Sequence, residues 1–401
     1  MFTCARARNT CTNKTVTKIC EILYSVVLAL SSTTIQMPLA ETCIVGRLRF
    51  EMYHYVREPT SELPYFNFLH INDFKKQLDA FQTEHFFPTR AQVAAFITGD
   101  QEALPRDRKS IVLTFDDGLA DHFQYVFPEL QNRGLWGIFY IAAGPYFEKD
   151  LLDVHKVHAL LGRYAPNLVL DFAKEILGSS PEYFHSKRLS EFRENTYTAE
   201  MQNNDDATTS FKQLVNYFLK PSHKKKVLSM LMENFFPSAS HNLVRAWYMN
   251  EEQLGIMCSG GMVLGAHSVS HSVLSTLTAE EQTQEIQRSL KYVADIAAKN
   301  PSYDGFPHFR TFCFPYGGSH TYNRHTLDTL QNEACQFSLD VDPQDCDEDM
   351  LKTRRQCLPR WDCNKFAFGT CFKNEVSPQN QSGLGIPNDR ARELCDYLES
   401  V

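Results

Sequence analysis

The sequence predicts a parallel α/β protein carrying a long helical insertion. Three observations lead there. Short apolar runs such as SIVLTF at 110–115 show no polar alternation, as strands buried on both faces do. Segments of helical spacing separate those runs. Between 151 and 250 the strand–helix alternation lapses into polar, helix-prone sequence.

The elements follow in order. Residues 48–56 (LRFEMYHYV) read as a first strand. Asn72 is placed to cap a helix with Phe74, Leu78 and Phe81 on one face, and Pro88 ends that unit. After the strand at 110–115 come Asp116, Asp117 and Gly118, then a helix bearing Phe123, Val126, Phe127 and Leu130 that closes at Gly134. Residues 135–143 form the next buried strand, and 261–266 (GMVLGA) another, followed by His267. Thr278 and Glu281 make a capping box for a helix with Ile286, Leu290, Val293 and Ala297 on one face. Strands at 310–315 and 337–341 flank a helix around Leu327 and Leu330, and Leu358-Pro359-Arg360-Trp361-Asp362 closes the ordered region.

Composition narrows the function. A chain of 401 residues, 43% hydrophobic, can bury a sizeable core. A net charge of -8 is a poor basis for holding a phosphate backbone, and Lys224-Lys225-Lys226 is too short a basic run, so no nucleic-acid partner is expected. No stretch reaches membrane-spanning length. Residues 1–45 read as a leader: Lys14 and Lys18 precede a weakly apolar stretch at 22–30 that imitates a signal peptide, but it is short and begins beside Glu21. A disordered leader and a cytoplasmic location are favoured over a cleaved signal and secretion. Residues 374–401 form a polar tail with a short helix at 388–399. None of the 12 cysteines shows CxxC spacing, and free or buried thiols are expected more than disulfides.

Three segments share one design, an apolar strand ending in polar residues: Thr114-Phe115-Asp116-Asp117-Gly118, His267-Ser268-Val269-Ser270-His271, and Phe314-Pro315-Tyr316-Gly317. Strand carboxyl ends converge on one face of a parallel barrel, so residues far apart in sequence can meet there. Two imidazoles at i and i+4 plus one carboxylate suit a divalent ion of borderline softness, with positions left open for water. Such an ion makes its water a nucleophile near neutral pH, and a second, unligated carboxylate takes the proton. Adjacent aspartates can divide these roles, because Gly118 permits a sharp turn.

TFDDG, HSVSH and FPYGG, in this order, resemble the polysaccharide deacetylases, carbohydrate esterase family 4, also called the NodB-homology domain. The resemblance covers roughly 110–150 and 260–365. It implies a distorted (β/α) barrel over 46–373, interrupted by the 151–250 insertion, and removal of N- or O-acetyl groups from a carbohydrate substrate. By position it implies Asp116 as catalytic base, and Asp117, His267 and His271 as ligands of zinc, with cobalt or nickel as alternatives. It further implies that the Tyr316 backbone N–H stabilises the oxyanion and that Ser270 braces the metal loop. Two positions depart from the family. Its Arg, three residues before the Tyr of the third motif, is Cys313 here. Its Leu-x-x-His segment, source of the general acid, is replaced by Leu358-Pro359-Arg360-Trp361-Asp362. Arg360 is the candidate replacement beside Asp116, with Asp362 orienting it or contacting substrate. His320 is the candidate acid, ahead of His122. These departures keep a second reading open, a carbohydrate-binding protein without turnover on the same fold.

Overall fold

The computed structural model describes residues 47–178, 204–237 and 240–373. The expected leader, the tail and its helix at 388–399 lie outside the described residues.

Seven parallel strands form the main sheet: β1 (Leu48–Tyr53), β4 (Ser110–Phe115), β5 (Gly137–Ile141), β6 (Val263–Ala266), β7 (Thr311–Cys313), β8 (Phe337–Leu339) and β9 (Trp361–Asp362). Their spatial order is β8-β7-β6-β5-β4-β1-β9. The segment 358–362 bends this sheet into a distorted (β/α) barrel. At one end Leu358 bonds to β8, its N–H donating to Ser338 O and its carbonyl accepting from Asp340 N, both at 2.8 Å. At the other end Trp361 and Asp362 pair with Glu51 and Met52 of β1. One short strand thus joins the two edges that an open sheet would leave exposed.

Alternation along each strand sorts the side chains. Leu48, Phe50, Val112, Ile138, Tyr140, Val263, Cys313, Phe337 and Leu358 pack together in one apolar cluster. Their strand neighbours Tyr53, Leu113, Phe115, Phe139, Leu264 and Phe312 pack in another, with the surrounding helices. Both faces are therefore apolar, which is why these strands read as unbroken hydrophobic runs. The buried face of the long helix Ala279–Lys299 includes Ile286, Leu290 and Val293, and its Thr278–Glu281 capping box is present.

One local expectation is corrected and one helix is added. His70, not Asn72, caps the first helix: its ring accepts the Asn72 N–H at 3.0 Å, so the helix begins at Ile71. A helix over Arg90–Ile97, capped by Thr89 and Gln92, follows Pro88, a stretch to which the sequence pattern assigns no element. Eight residues are too few for a clear periodic signal.

The insertion is helical where described. It contains Asp153–Arg163, Pro166–Leu177, Asp206–Gln213, Pro221–Phe235 and Ser240–Trp247, built around an apolar cluster of its own that includes Leu160, Val169, Phe211, Leu228 and Leu231. It packs closely on the segment after β1. Added to Gly162, a Cβ would overlap the ring of Phe66. Tyr55 and Phe66 meet Trp247 edge-on at 6.0 and 5.7 Å. A small sheet, order β10-β3-β2 (Phe372–Lys373, Asn67–His70, Val56–Arg57), borders this seam. Among the described residues no helix is long and apolar enough to cross a membrane, and all seven described cysteines are free thiols.

Candidate metal centre and active site

The carboxyl ends of β4, β6 and β7 bring the three motifs to one mouth of the barrel. Asp117 leaves β4 with φ 78, and Gly118 follows at φ 71. A left-handed step at a non-glycine residue costs about 1–3 kcal/mol and persists only where surrounding structure enforces it. Here it turns two successive aspartates apart. Asp116 points to Arg360 and Cys313; Asp117 points to the histidines. His271 and Tyr316 adopt the same backbone region, φ 57 and 65. Left-handed backbone thus recurs at this mouth, at Asp117, Ser268, His271 and Tyr316.

His267 Nε2 and His271 Nε2 each lie 3.4 Å from Asp117 Oδ1. All three residues are buried. His267 Nδ1 lies 2.8 Å from the Cys313 carbonyl, which only accepts, so Nδ1 carries a proton and the ring is held with Nε2 facing Asp117. Asp117 Oδ1 is buried with no hydrogen-bond partner among the described residues. Two imidazole nitrogens converging on one buried carboxylate oxygen call for positive charge between them. Metal–ligand bonds of about 2.1 Å in a tetrahedron put ligand atoms about 3.4 Å apart, which matches the two separations found. Two imidazole nitrogens and one carboxylate oxygen fit zinc or a similar divalent ion.

The two imidazoles differ in their electrostatics: against burial, Cys313, Asp117 and Asp116 hold His267 well above the usual histidine range, so this nitrogen pairs with Asp117 through a proton or through a cation. Burial pushes His271 down to about 3 against the pull of Asp117, so its imidazole stays neutral, the form that binds metal. Burial alone would lift the Asp117 carboxyl, but the imidazole of His155 and those of the two motif histidines hold it well below the usual carboxylate range.

Asp116 sits in a different field. Arg360 reaches it through two hydrogen bonds, Nη1 to Oδ1 at 2.7 Å and Nη2 to Oδ2 at 2.8 Å. Both side chains are almost wholly buried. Burial would raise this carboxyl; Arg360, with His267 and His54, outweighs it and keeps Asp116 ionised below the ordinary range. Arg360 also donates to Thr114 Oγ1 at 3.3 Å and to Cys313 Sγ at 2.9 Å. At the third motif the small Cys313 leaves room for a guanidinium arriving from the segment 358–362. Asp362 does not orient Arg360, as the sequence suggested it could. It caps the turn Cys363–Lys365 through the Asn364 N–H at 3.0 Å, because β9 ends there.

The brace of the metal loop is also corrected. Ser268 Oγ accepts the His271 N–H at 3.1 Å, and Glu285 accepts the N–H groups of Val269 and Ser270. The Ser270 hydroxyl instead pairs with Ser272 at 2.8 Å. Tyr316 packs its ring against His271 at 4.8 Å. His320 lies on the exposed turn after Gly318. His122 is buried, its Nε2 2.9 Å from the His54 carbonyl.

Two histidines were missed. His54 stands at the end of β1, 41% exposed, its Nε2 3.9 Å from Asp116 Oδ2. It was legible by the strand-end rule, but reading the strand through to residue 56 hid it. His155, from the insertion, lies 3.1 Å from Asp117 Oδ2. No signal marked it, since a histidine on an amphipathic helix is most often plain packing.

The polysaccharide deacetylase family model matches residues 205–337, which include His267, His271 and Tyr316. No curated protein matches the chain. Among solved structures, Streptococcus pyogenes deacetylase PplD in complex with acetate aligns over 84% of this chain and 97% of its own, at 15% identity and a TM-score of 0.47. IcaB from Ammonifex degensii aligns over 79% and 91%, at 14% and 0.43. A de-N-acetylase from Aggregatibacter actinomycetemcomitans aligns over 82% and 97%, at 14% and 0.42. By its motifs this chain resembles the polysaccharide deacetylases, and the family match spans the second and third of those motifs.

Proposed function

We propose that the protein removes acetyl groups from an N-acetylated carbohydrate, using a divalent metal held by Asp117, His267 and His271. The observation that carries this reading is the bare Asp117 Oδ1, equidistant from two imidazole nitrogens. A bound zinc-like ion supplies Lewis-acid polarisation and an acidified water.

The chain's own groups divide the remaining work. Asp116, kept ionised by Arg360, is the base that takes the proton of the attacking water; each of its oxygens retains a lone pair beyond the one Arg360 engages. The backbone N–H of Tyr316 stabilises the oxyanion. His54, half-exposed at the mouth beside Asp116, is placed to protonate the leaving amine. It is a better candidate than His320, which sits on an exposed turn. The two departures that favoured a binding-only protein thus each have a counterpart here, Arg360 for the missing arginine and His54 for the missing acid.

Metal analysis of the purified chain, paired with an acetate-release screen over acetylated chito-oligosaccharides and aryl acetates, tests the proposal. We expect about one metal per chain, acetate release abolished by chelation and restored by added zinc, and loss of turnover in Asp116→Asn with metal retained. Sugar binding without turnover, indifferent to Asp116→Asn, would sink it.

A further inference from the structure

The Asp117 carboxylate has two ends, and they face different parts of the molecule. Oδ1 faces the barrel histidines. Oδ2 faces Nε2 of His155, which lies in the first helix of the insertion, Asp153–Arg163, and is fully buried. Nδ1 of His155 meets the hydroxyl of Tyr248, just past the insertion's last helix, Ser240–Trp247. The same hydroxyl accepts the Leu152 N–H at 3.1 Å. The two ends of the insertion therefore close on each other directly behind a metal-binding carboxylate.

The protons in this relay have one direction. A backbone N–H only donates, so the Tyr248 oxygen accepts from Leu152 and its own proton is left for His155 Nδ1. Asp117 Oδ2 only accepts, so His155 carries a proton on Nε2 and donates it there. The opposite tautomer would set two acceptors face to face in a buried site, which is costly. The relay does for Asp117 what the Cys313 carbonyl does for His267: it fixes a ligand from behind. Asp117 needs such support, because its backbone lies in the left-handed region rather than in a regular element. The relay is also held in place, since the His155 ring packs against Trp247 at 5.6 Å and Trp247 against Phe66 of the barrel side.

Taking Asp117, His267 and His271 as the ligands, as proposed above, we infer that the insertion is part of the metal centre: His155, oriented by Tyr248, is a positioning residue that aims Asp117 Oδ1 at the cation. Docking of the insertion thereby sets metal affinity.

The test is titration of the metal-free full chain with Zn²⁺ against a chromogenic chelator, with the thermal midpoint of the metal-free chain measured in parallel. His155→Ala should weaken zinc binding about 10–100-fold, the range for groups that orient a ligand. Tyr248→Phe, which removes one hydroxyl, should weaken it in the same direction by a smaller factor. His155→Gln, which keeps an N–H donor, should regain part of the loss. Lys225→Ala, exposed on the same insertion, should bind zinc like the parent. Parental zinc affinity in His155→Ala and Tyr248→Phe, with affinity lost in Asp117→Ala, would overturn the inference and leave the site reading intact. Lowered midpoints with unchanged affinity in the folded protein would overturn it too, by showing a merely structural role. Parental affinity in Asp117→Ala and in the His267→Ala, His271→Ala double variant would instead sink the ligand assignment. Should His155→Ala fail to fold, Tyr248→Phe decides alone.

Discussion

The barrel and the insertion each bury an apolar cluster, yet they reach the site in opposite ways. The barrel brings its candidate residues from strand ends: Asp116 and Asp117 after β4, His267 after β6, Tyr316 after β7, His54 after β1. The insertion delivers His155 from within a helix that also buries Val157, Ala159 and Leu160. Strand ends are marked in sequence by the change from apolar run to polar residue, whereas a helical face mixes packing and function at one period. The two regions meet on a single carboxylate, one oxygen each.

That comparison can be broken or sharpened by variants in either region. The largest effect belongs to the barrel. Asp117→Ala should lose bound metal and lower acetate release on the order of 10³-fold or more, read by metal analysis and turnover together. Retention of metal at parental level would show that the two regions do not converge on this residue.

Arg360→Ala comes next. Removing one partner of a wholly buried ion pair leaves Asp116 charged and uncompensated, a loss of about 3–5 kcal/mol in denaturant unfolding. Arg360→Lys should recover only part, because an ammonium cannot reproduce the two-point contact. A loss below about 1 kcal/mol would mean that water reaches Asp116 more freely than its burial shows.

For the insertion, Gly162→Ala should cost about 1–3 kcal/mol, since the added methyl meets the Phe66 ring at the docking seam. Hydrogen exchange should rise in the Asp153–Arg163 helix while the β4 and β5 amides stay protected. Equal loosening of both would show that the two clusters unfold as one unit.

The smallest effect is a pH trend in the barrel wall. Glu51 is buried, and neither carboxylate oxygen has a hydrogen-bond partner among the described residues. Burial raises its pKa well above the ordinary value, with Arg49 opposing. Folded Glu51 therefore keeps its proton in a range where the unfolded chain has lost it. The folded state binds more protons there, so this group subtracts stability as pH rises above the ordinary glutamate range. Glu51→Gln should gain stability relative to the parent between mildly acid and neutral pH, and the difference should vanish below that range. A pH-independent difference between the two unfolding midpoints would show Glu51 to be ionised in the fold.

Much of the site was legible before any coordinates. Asp117, His267 and His271 share a centre because two apolar runs of strand length, 110–115 and 261–266, lead into them, and parallel strands must align their carboxyl ends. Helix ends marked by Thr278–Glu281 stood out for the same local reason, a side chain satisfying nearby backbone N–H groups. His54 was lost through a strand boundary read three residues too long. Thr89–Gln92 was lost because a short helix gives too little periodicity.

What the sequence alone determined is the parallel α/β order and the identity of the groups at its strand ends, since both depend on residues close together in the chain. Only the tertiary structure decided which group stands behind each of them. Arg360 reaches Asp116 across 244 positions and His155 reaches Asp117 across 38. Neither pairing leaves a periodic trace, because a hydrogen bond between distant segments depends on how strands close and helices dock.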